Sequence, residues 1–304
     1  MSISLTILGC GAAAPTVSAQ PSGQVLDVHG QLILLDCGEG TQVQLRLRKI
    51  RFTQISLICI SHLHGDHFFG LPGLLSTFHL LNREKPLTLI GPPGLEVLIR
   101  TILKATKTWT CYPLHFLEVP LADGSLVMKN EAFSVFAFPL EHSIETIGFR
   151  IEEKQGLRKI NTVAVENAQI PRCDLRPLQL GRDIQDAKGT WIPNAQLTFD
   201  PKPVIKYAYA SDTAFCPAIV PHICGVDWLY HESTFADSHA SLALKTKHST
   251  ARDAGKIAAL ANVKHLLLGH FSIRYADRTV LLREAEEEFS SVQLAHDGLV
   301  IRME

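Results

Sequence analysis

Residues 62 to 67 read His62-Leu63-His64-Gly65-Asp66-His67, three imidazoles and one carboxylate in six positions, directly after the apolar run Leu57-Ile58-Cys59-Ile60. Nitrogen and oxygen donors at that density suit a borderline-soft divalent cation such as zinc. Alternation along an extended backbone puts His62 and His64 on one face, while Asp66 and His67, beyond the turn that Gly65 permits, point elsewhere. That division favours two metal ions over one.

Three distant points supply further donors. His142 follows the alternating segment Phe133 to Leu140, Asp212 follows Val204 to Ala210, and His270 follows the apolar stretch Val263 to Gly269. Each falls just past the end of an expected strand, where an α/β architecture collects its functional residues. Any one alone would read as a cap or turn residue, but together they complete a set of seven. If Asp212 bridges, one ion takes His62, His64, His142 and Asp212, and the other takes Asp66, His67, His270 and Asp212. Two divalent ions so held make water nucleophilic near neutral pH and offset the charge of a phosphodiester, so hydrolysis is the expected reaction.

With these residues in view the chain resembles the metallo-β-lactamase superfamily, whose signature is carried by Ser61-His62-Leu63-His64-Gly65-Asp66-His67, and within it the ribonuclease Z family. The narrower likeness rests on Leu8-Gly9-Cys10-Gly11-Ala12-Ala13-Ala14-Pro15-Thr16, Leu35-Asp36-Cys37-Gly38-Glu39-Gly40-Thr41-Gln42, Gly70-Leu71-Pro72-Gly73-Leu74-Leu75, His231-Glu232-Ser233-Thr234-Phe235 and His248-Ser249-Thr250. The resemblance implies an αββα sandwich, two facing mixed β-sheets flanked by helices, with two zinc ions per chain. It implies an endoribonuclease that removes the 3′ trailer from precursor tRNA, leaving a tRNA 3′-hydroxyl and a trailer 5′-phosphate. It also implies that Asp66 is the proton acceptor, that His248 is the proton donor and that Glu232 orients His248. A homodimer is expected on the same ground. The rival expectation is a hydrolase of a small phosphodiester or ester on the same fold.

The pattern around the motif fits one catalytic domain over residues 1–304. Strands are expected at Leu5 to Leu8, Gln24 to Val28 and Leu32 to Asp36, and helices at Thr41 to Lys49 and Leu71 to Asn82. After Val204 the pattern restarts: a strand to Asp212, a segment Val226 to His231, and a helix Thr250 to Asn262 capped by Ser249 or Thr250 ahead of Asp253. Between about 151 and 203 the character changes. The run Asn161 to Gly189 holds Pro171, Pro177 and Gly181 and sustains no period, which reads as an inserted arm or long loop. In bacterial ribonuclease Z this region grips the tRNA elbow. Here Arg172-Cys173-Asp174-Leu175-Arg176-Pro177-Leu178 replaces the family's Gly-Pro stretch, so the arm is recognisable by position only.

Bulk composition narrows the setting. The chain has 304 residues, 46% hydrophobic and 19% charged, which excludes a disordered or fibrous protein. No apolar run is long enough for a membrane span, and Met1-Ser2-Ile3-Ser4-Leu5 lacks a signal-peptide start, so a cytoplasmic location is expected. Seven cysteines without a Cys-x-x-Cys pair read as buried free thiols. A net charge of −1 offers no global attraction to RNA, so phosphates must meet the metal site and local patches such as Arg46 to Arg51 and Lys154, Arg158 and Lys159. His29, His79, His115, His222, His239, His265 and His296 have no motif around them and read as surface or satisfied core histidines.

Overall fold

The computed structural model describes residues 3–17, 19–120, 124–186 and 188–303. Two seven-stranded sheets form the larger of two compact units, Met1–Glu152 with Ile205–Glu304. The first sheet begins with an antiparallel meander, Ile3–Gly9, Gly23–Val28 and Gln31–Cys37, and continues with parallel strands Ile55–Cys59, Leu87–Gly91 and Leu114–Glu118. In the second sheet the strands Lys206–Ala210, Trp228–Glu232 and His265–Gly269 run parallel, and Thr146–Glu153 and Phe133–Leu140 extend it.

Alternation explains why these strands read as nearly unbroken apolar runs. Along Gln31–Cys37, Ile33 and Leu35 join one core and Leu32 and Leu34 join another; along Ile55–Cys59, Leu57 and Cys59 face the first while Ile58 between them faces the second. The first core lies between the sheets and takes in Phe133, Phe149, Tyr207, Tyr209 and Leu267 from the second sheet. The second core lies under the helices, with Leu71, Leu74, Leu75 and Phe78 of Gly70–Leu80 and Leu95 and Ile99 of Leu95–Ala105. Both faces of the sheet are therefore covered, the condition under which parallel strands are found. The expected αββα sandwich is the observed fold. The helix Ala251–Leu260 carries the expected cap in reciprocal form, Thr250 accepting from Asp253 N and Asp253 accepting from Thr250 N.

Two local expectations change. The turn after His64 is one turn of helix, Gly65–Phe68, with His64 extended ahead of it, and Gly65 is not among the left-handed glycines. Glycine stands there because a Cβ would lie 2.5 Å from the ring of Phe69. All seven cysteines are free, but only Cys10, Cys37 and Cys59 are buried; Cys111, Cys173 and Cys224 are exposed.

The second unit, Glu153–Val204, is joined into the chain between two neighbouring antiparallel strands of the second sheet. Where the sequence shows no period there are short helices, Thr162–Asn167 and Leu175–Gln179, and two-stranded pairs of two residues each. They close over a small core of Val165, Ile170, Leu178, Ile184 and Leu197. Buried Asn194 ties them, donating to Leu178 O at 2.8 Å and Arg182 O at 3.0 Å and accepting from Thr198. Elements this short carry too few residues for a periodic signal.

Gly70 fixes how closely the metal loop approaches the first sheet, since a Cβ there would lie 2.1 Å from Gly38 O and 2.9 Å from Cys37 O. Gly73, three residues on in the same helix, faces open space. Gly70→Ala is therefore expected to destabilise by about 1–3 kcal/mol or more, and Gly73→Ala to stabilise by up to about 1 kcal/mol. Thermal melts of the two variants should move in opposite directions; equal shifts would show that the close approach carries no strain.

Candidate metal centre

Every sequence-predicted site residue sits at one end of the two sheets. The strand Ile55–Cys59 runs out into His62 and His64, Phe133–Leu140 into His142, Lys206–Ala210 into Asp212 and His265–Gly269 into His270. Asp66 and His67 ride on the helical turn Gly65–Phe68, Glu232 ends the strand Trp228–Glu232, and His248 precedes the cap of Ala251–Leu260. His62, His67, His142, Asp212, Glu232 and His270 are buried, while His64, Asp66 and His248 are partly open to solvent.

The donors form two groups of four that share Asp212: His62, His64, His142 and Asp212, then Asp66, His67, His270 and Asp212. In the first, His62 Nε2 and His64 Nδ1 are 3.1 Å apart, His142 Nε2 and His64 Nδ1 3.3 Å, and Asp212 Oδ2 lies 3.6 Å from His62 and 3.8 Å from His142. In the second, the His67 and His270 Nε2 atoms are 3.3 Å apart, and Asp212 Oδ1 lies 3.2 Å from each. Asp66 Oδ2 closes that group at 3.5 Å from His67 and 3.4 Å from His270. A tetrahedron with bonds of about 2.0–2.1 Å to zinc has edges of about 3.4 Å. Each oxygen of Asp212 thus serves a different group.

Tautomers give an independent test of fit. Ser61 Oγ donates to Asp36 Oδ2 at 2.8 Å, since a carboxylate is the stronger acceptor, so it must accept from His62 Nδ1–H at 2.9 Å. By the same logic Thr234 Oγ1 donates to Glu232 Oε2 at 2.6 Å and accepts from His270 Nδ1–H at 2.8 Å. His67 Nδ1–H donates to Asp36 Oδ2 at 2.7 Å and His142 Nδ1–H to Lys247 O at 2.9 Å. With four Nδ1 atoms committed as donors, four Nε2 lone pairs converge on one another and on two carboxylates. Lone pairs facing lone pairs require a cation between them, and this is the arrangement in which histidine ligates metal. Burial holds His62, His64 and His142 below the ordinary imidazole range, in the neutral form, whereas at His67 the Asp212 and Asp36 charges outweigh burial and pull it well above that range.

Ala13 N–H donates to Asp66 Oδ2 at 2.8 Å. Beyond the two groups, His248 Nδ1 donates to Glu232 Oε1 at 2.7 Å. Burial disfavours the His248 cation, but the Glu232 charge and hydrogen bond outweigh it and lift the ring to about 9. Glu232 is itself fully buried and held by Thr213 N at 2.8 Å and Thr234 N at 3.1 Å.

Sequence reasoning assigned no role to Asp36, Ser61, Thr234 or the Lys247 carbonyl. Asp36, Ser61 and Thr234 were visible only as members of longer stretches, and a backbone oxygen leaves no trace in a sequence. Of the unassigned histidines, His265 bonds Ser291 and stacks on Trp228 and His239 bonds Tyr275, as expected, whereas the buried Nδ1 of His79 has no hydrogen-bond partner among the described residues.

Comparison with known proteins separates the two expected activities. A family model described as anti-Pycsar protein Apyc1 matches residues 3–145. A ribonuclease Z of Parabacteroides distasonis is 42% identical over 295 residues, 97% of each chain. The crystal structure of human tRNase Z, short form, superposes with a TM-score of 0.72 at 28% identity, covering 98% of both chains. The metallo-β-lactamase fold protein YhfI of Bacillus subtilis, at TM-score 0.70 and 18% identity over the full length of both chains, shares the fold. Likeness at 42% identity over nearly the whole length of both chains goes beyond a shared scaffold: the chain belongs to the ribonuclease Z family, the metal-dependent endoribonucleases that process the 3′ ends of tRNA.

Proposed function

We propose that this chain removes the 3′ trailer of precursor tRNA with two zinc ions, one on His62, His64, His142 and Asp212 and the other on Asp66, His67, His270 and Asp212. The observation that carries this reading is the division of Asp212, whose two oxygens face the two donor groups at 3.2 to 3.8 Å. Bound ions would supply an acidic water at neutral pH and positive charge against the phosphodiester. Asp66, steadied by Ala13 N–H, accepts the proton of the attacking water. His248 faces the opposite task. An alkoxide at the ribose 3′ position leaves poorly, and an imidazolium held by Glu232 can give its Nε2 proton to that oxygen. Phosphorus gains the water oxygen and loses the 3′-oxygen, so the trailer keeps a 5′-phosphate and the tRNA gains a 3′-hydroxyl. Incubating the protein with end-labelled precursor tRNA and mapping the product ends tests the reading directly.

We read residues 1–304 as a single catalytic domain with Glu153–Val204 as an arm that holds the RNA, in a homodimer, as the family resemblance implies, and keep the cytoplasmic location expected from the sequence. No helix among the described residues is long and apolar enough to cross a membrane. Lys159, Arg172, Arg176 and Arg182 give the arm cations for phosphate contacts.

Loss of a shared ligand should cost more metal than loss of an unshared one. Asp212→Ala is expected to lower total bound zinc further than His142→Ala, read by elemental analysis after gel filtration; full occupancy in Asp212→Ala would remove it as the bridge.

His248→Ala should keep its zinc yet lose roughly 10²-fold or more in precursor cleavage. On a nitrophenyl phosphodiester, whose leaving group needs little protonation, the loss should be much smaller. Equal losses on both substrates would make His248 a structural residue.

The arm can be tested by excision, because Gln155 Nε2 donates to Lys202 O at 3.0 Å and a short linker can join those positions. Replacing residues 156–201 with a few Gly and Ser residues should weaken precursor binding and flatten its salt dependence, with nitrophenyl phosphodiester hydrolysis retained. An unchanged affinity and salt slope would show that the arm makes no RNA contact.

A further inference from the structure

The chemistry above accounts for the phosphodiester and leaves a large exposed ring beside it without a task. Phe69 follows His67 by two residues, at the junction of Gly65–Phe68 and Gly70–Leu80, and is 67% exposed. Its position is built. Gly65, in the middle of the metal loop, would place a Cβ 2.5 Å from Phe69 Cε2 and 2.7 Å from Cδ2, so the ring lies directly on the loop and the loop has given up a side chain to seat it. Phe68, fully buried, is its ring neighbour, with centroids 6.3 Å apart and planes at 66°. The Phe69 ring is thus fixed at one edge and one neighbour while most of its surface faces solvent. Folding gains little from an aromatic left in water.

Other loops of the centre repeat the pattern. Ile144 follows His142 by two residues, Phe215 follows Asp212 by three and Ile273 follows His270 by three, and all are exposed. Charge and metal suffice to hold a phosphate, so apolar side chains around the donors point to some other part of the substrate. The strand to be cut in a precursor tRNA is single-stranded at the trailer, where bases have lost a stacking neighbour and are recognised by stacking on aromatic rings. Every base has a π-face, so a stacking platform accepts any of them. That tolerance suits an enzyme whose substrates differ in sequence at the cut.

We infer that Phe69 is a positioning residue that stacks on a nucleobase flanking the cleaved phosphodiester, and so holds the scissile linkage over the metal loop. The inference rests on the reading of the chain as a precursor-tRNA endonuclease. The test is a double-mutant cycle with the intact, metal-loaded protein. Wild type, Phe69→Ala, Phe69→Leu and Phe69→Trp are assayed on precursor tRNA and on precursors carrying an abasic nucleotide on one or the other side of the cleaved bond. Phe69→Ala and Phe69→Leu should raise KM for the intact precursor by roughly 5- to 150-fold, the range for loss of one stacked base, and Phe69→Trp should restore it. On one of the two abasic precursors, wild type should lose the same factor and the Ala and Leu variants should lose no more.

Losses that are the same on intact and abasic precursors would overturn the inference, because a ring that merely supports the loop does not care whether the base is present. A fall in zinc content in Phe69→Leu, which keeps apolar bulk over Gly65, would overturn it in the same direction. A change of oligomeric state in Phe69→Ala, read by sedimentation, would assign the ring to a contact between copies instead. Failure of the wild type to cut precursor tRNA at all would overturn the functional reading, and the inference with it, and is distinct from normal cleavage without coupling.

Discussion

The buried carboxylate of Asp36 is the point on which fold and site both depend. It stands one residue before the end of the strand Gln31–Cys37 in a left-handed conformation, φ 54°, and accepts four hydrogen bonds: Ser61 N at 2.7 Å, Ser61 Oγ at 2.8 Å, His67 Nδ1 at 2.7 Å and Tyr209 OH at 2.7 Å. A desolvated carboxylate with fewer partners would be costly. Those donors come from the start of the metal loop, from a metal-facing histidine and from the second sheet, so satisfying one buried charge locks three parts of the molecule together. Two further stitches close the same end: Ile147 N donates to Ser61 O at 2.9 Å, and the segments around Gly11 and Phe271 exchange backbone bonds through Ala12 N at 3.0 Å and Cys10 O at 2.9 Å.

Glu232 is the counterpart of Asp36 on the other half. Through Thr234 it sets the tautomer of His270, and directly it holds His248. One fully buried acid therefore aligns a metal-facing histidine and the residue proposed to donate the proton. The placement of His270 and His248 relative to one another is then set by one buried carboxylate and not by flexible side chains, the kind of preorganisation that a proton donor opposite a metal centre would need.

Much of this was legible in the sequence, and what was hidden has physical reasons. The strands of both cores announce themselves because burial on two faces leaves almost no polar residue in them. The six-residue metal loop is legible because its donors are consecutive, and the distant His142, Asp212 and His270 are legible because each follows an apolar run. Asp36 ends a strand just as visibly, yet a single acid before Cys37-Gly38 looks like any turn residue until the fold brings Tyr209 to it. Gly65 invited the wrong reason. A glycine between two ligands suggests a backbone that needs freedom, whereas its φ is ordinary and the missing Cβ makes room for a ring that arrives from four residues later. The short internal elements of the Glu153–Val204 unit escaped because their order comes from a five-residue core and one buried asparagine, neither of which leaves a period.

Charge balance explains how a chain with net charge −1 can take a polyanion as substrate. Asp36, Asp66, Asp212 and Glu232 converge within one end of the sandwich, and on their own they would repel a phosphate. Two divalent ions held as proposed cancel four negative charges, and His248, lifted by Glu232, adds a positive one on the open side. Attraction is thus greatest at the place where the phosphodiester must sit. A uniformly basic protein would bind RNA in many registers with affinity lost steeply to salt. Local charge at the centre, with the base contact and the arm cations proposed above, would divide the task differently: the centre and the stacked base would set where the bond is cut, and the arm would set which RNA is brought there.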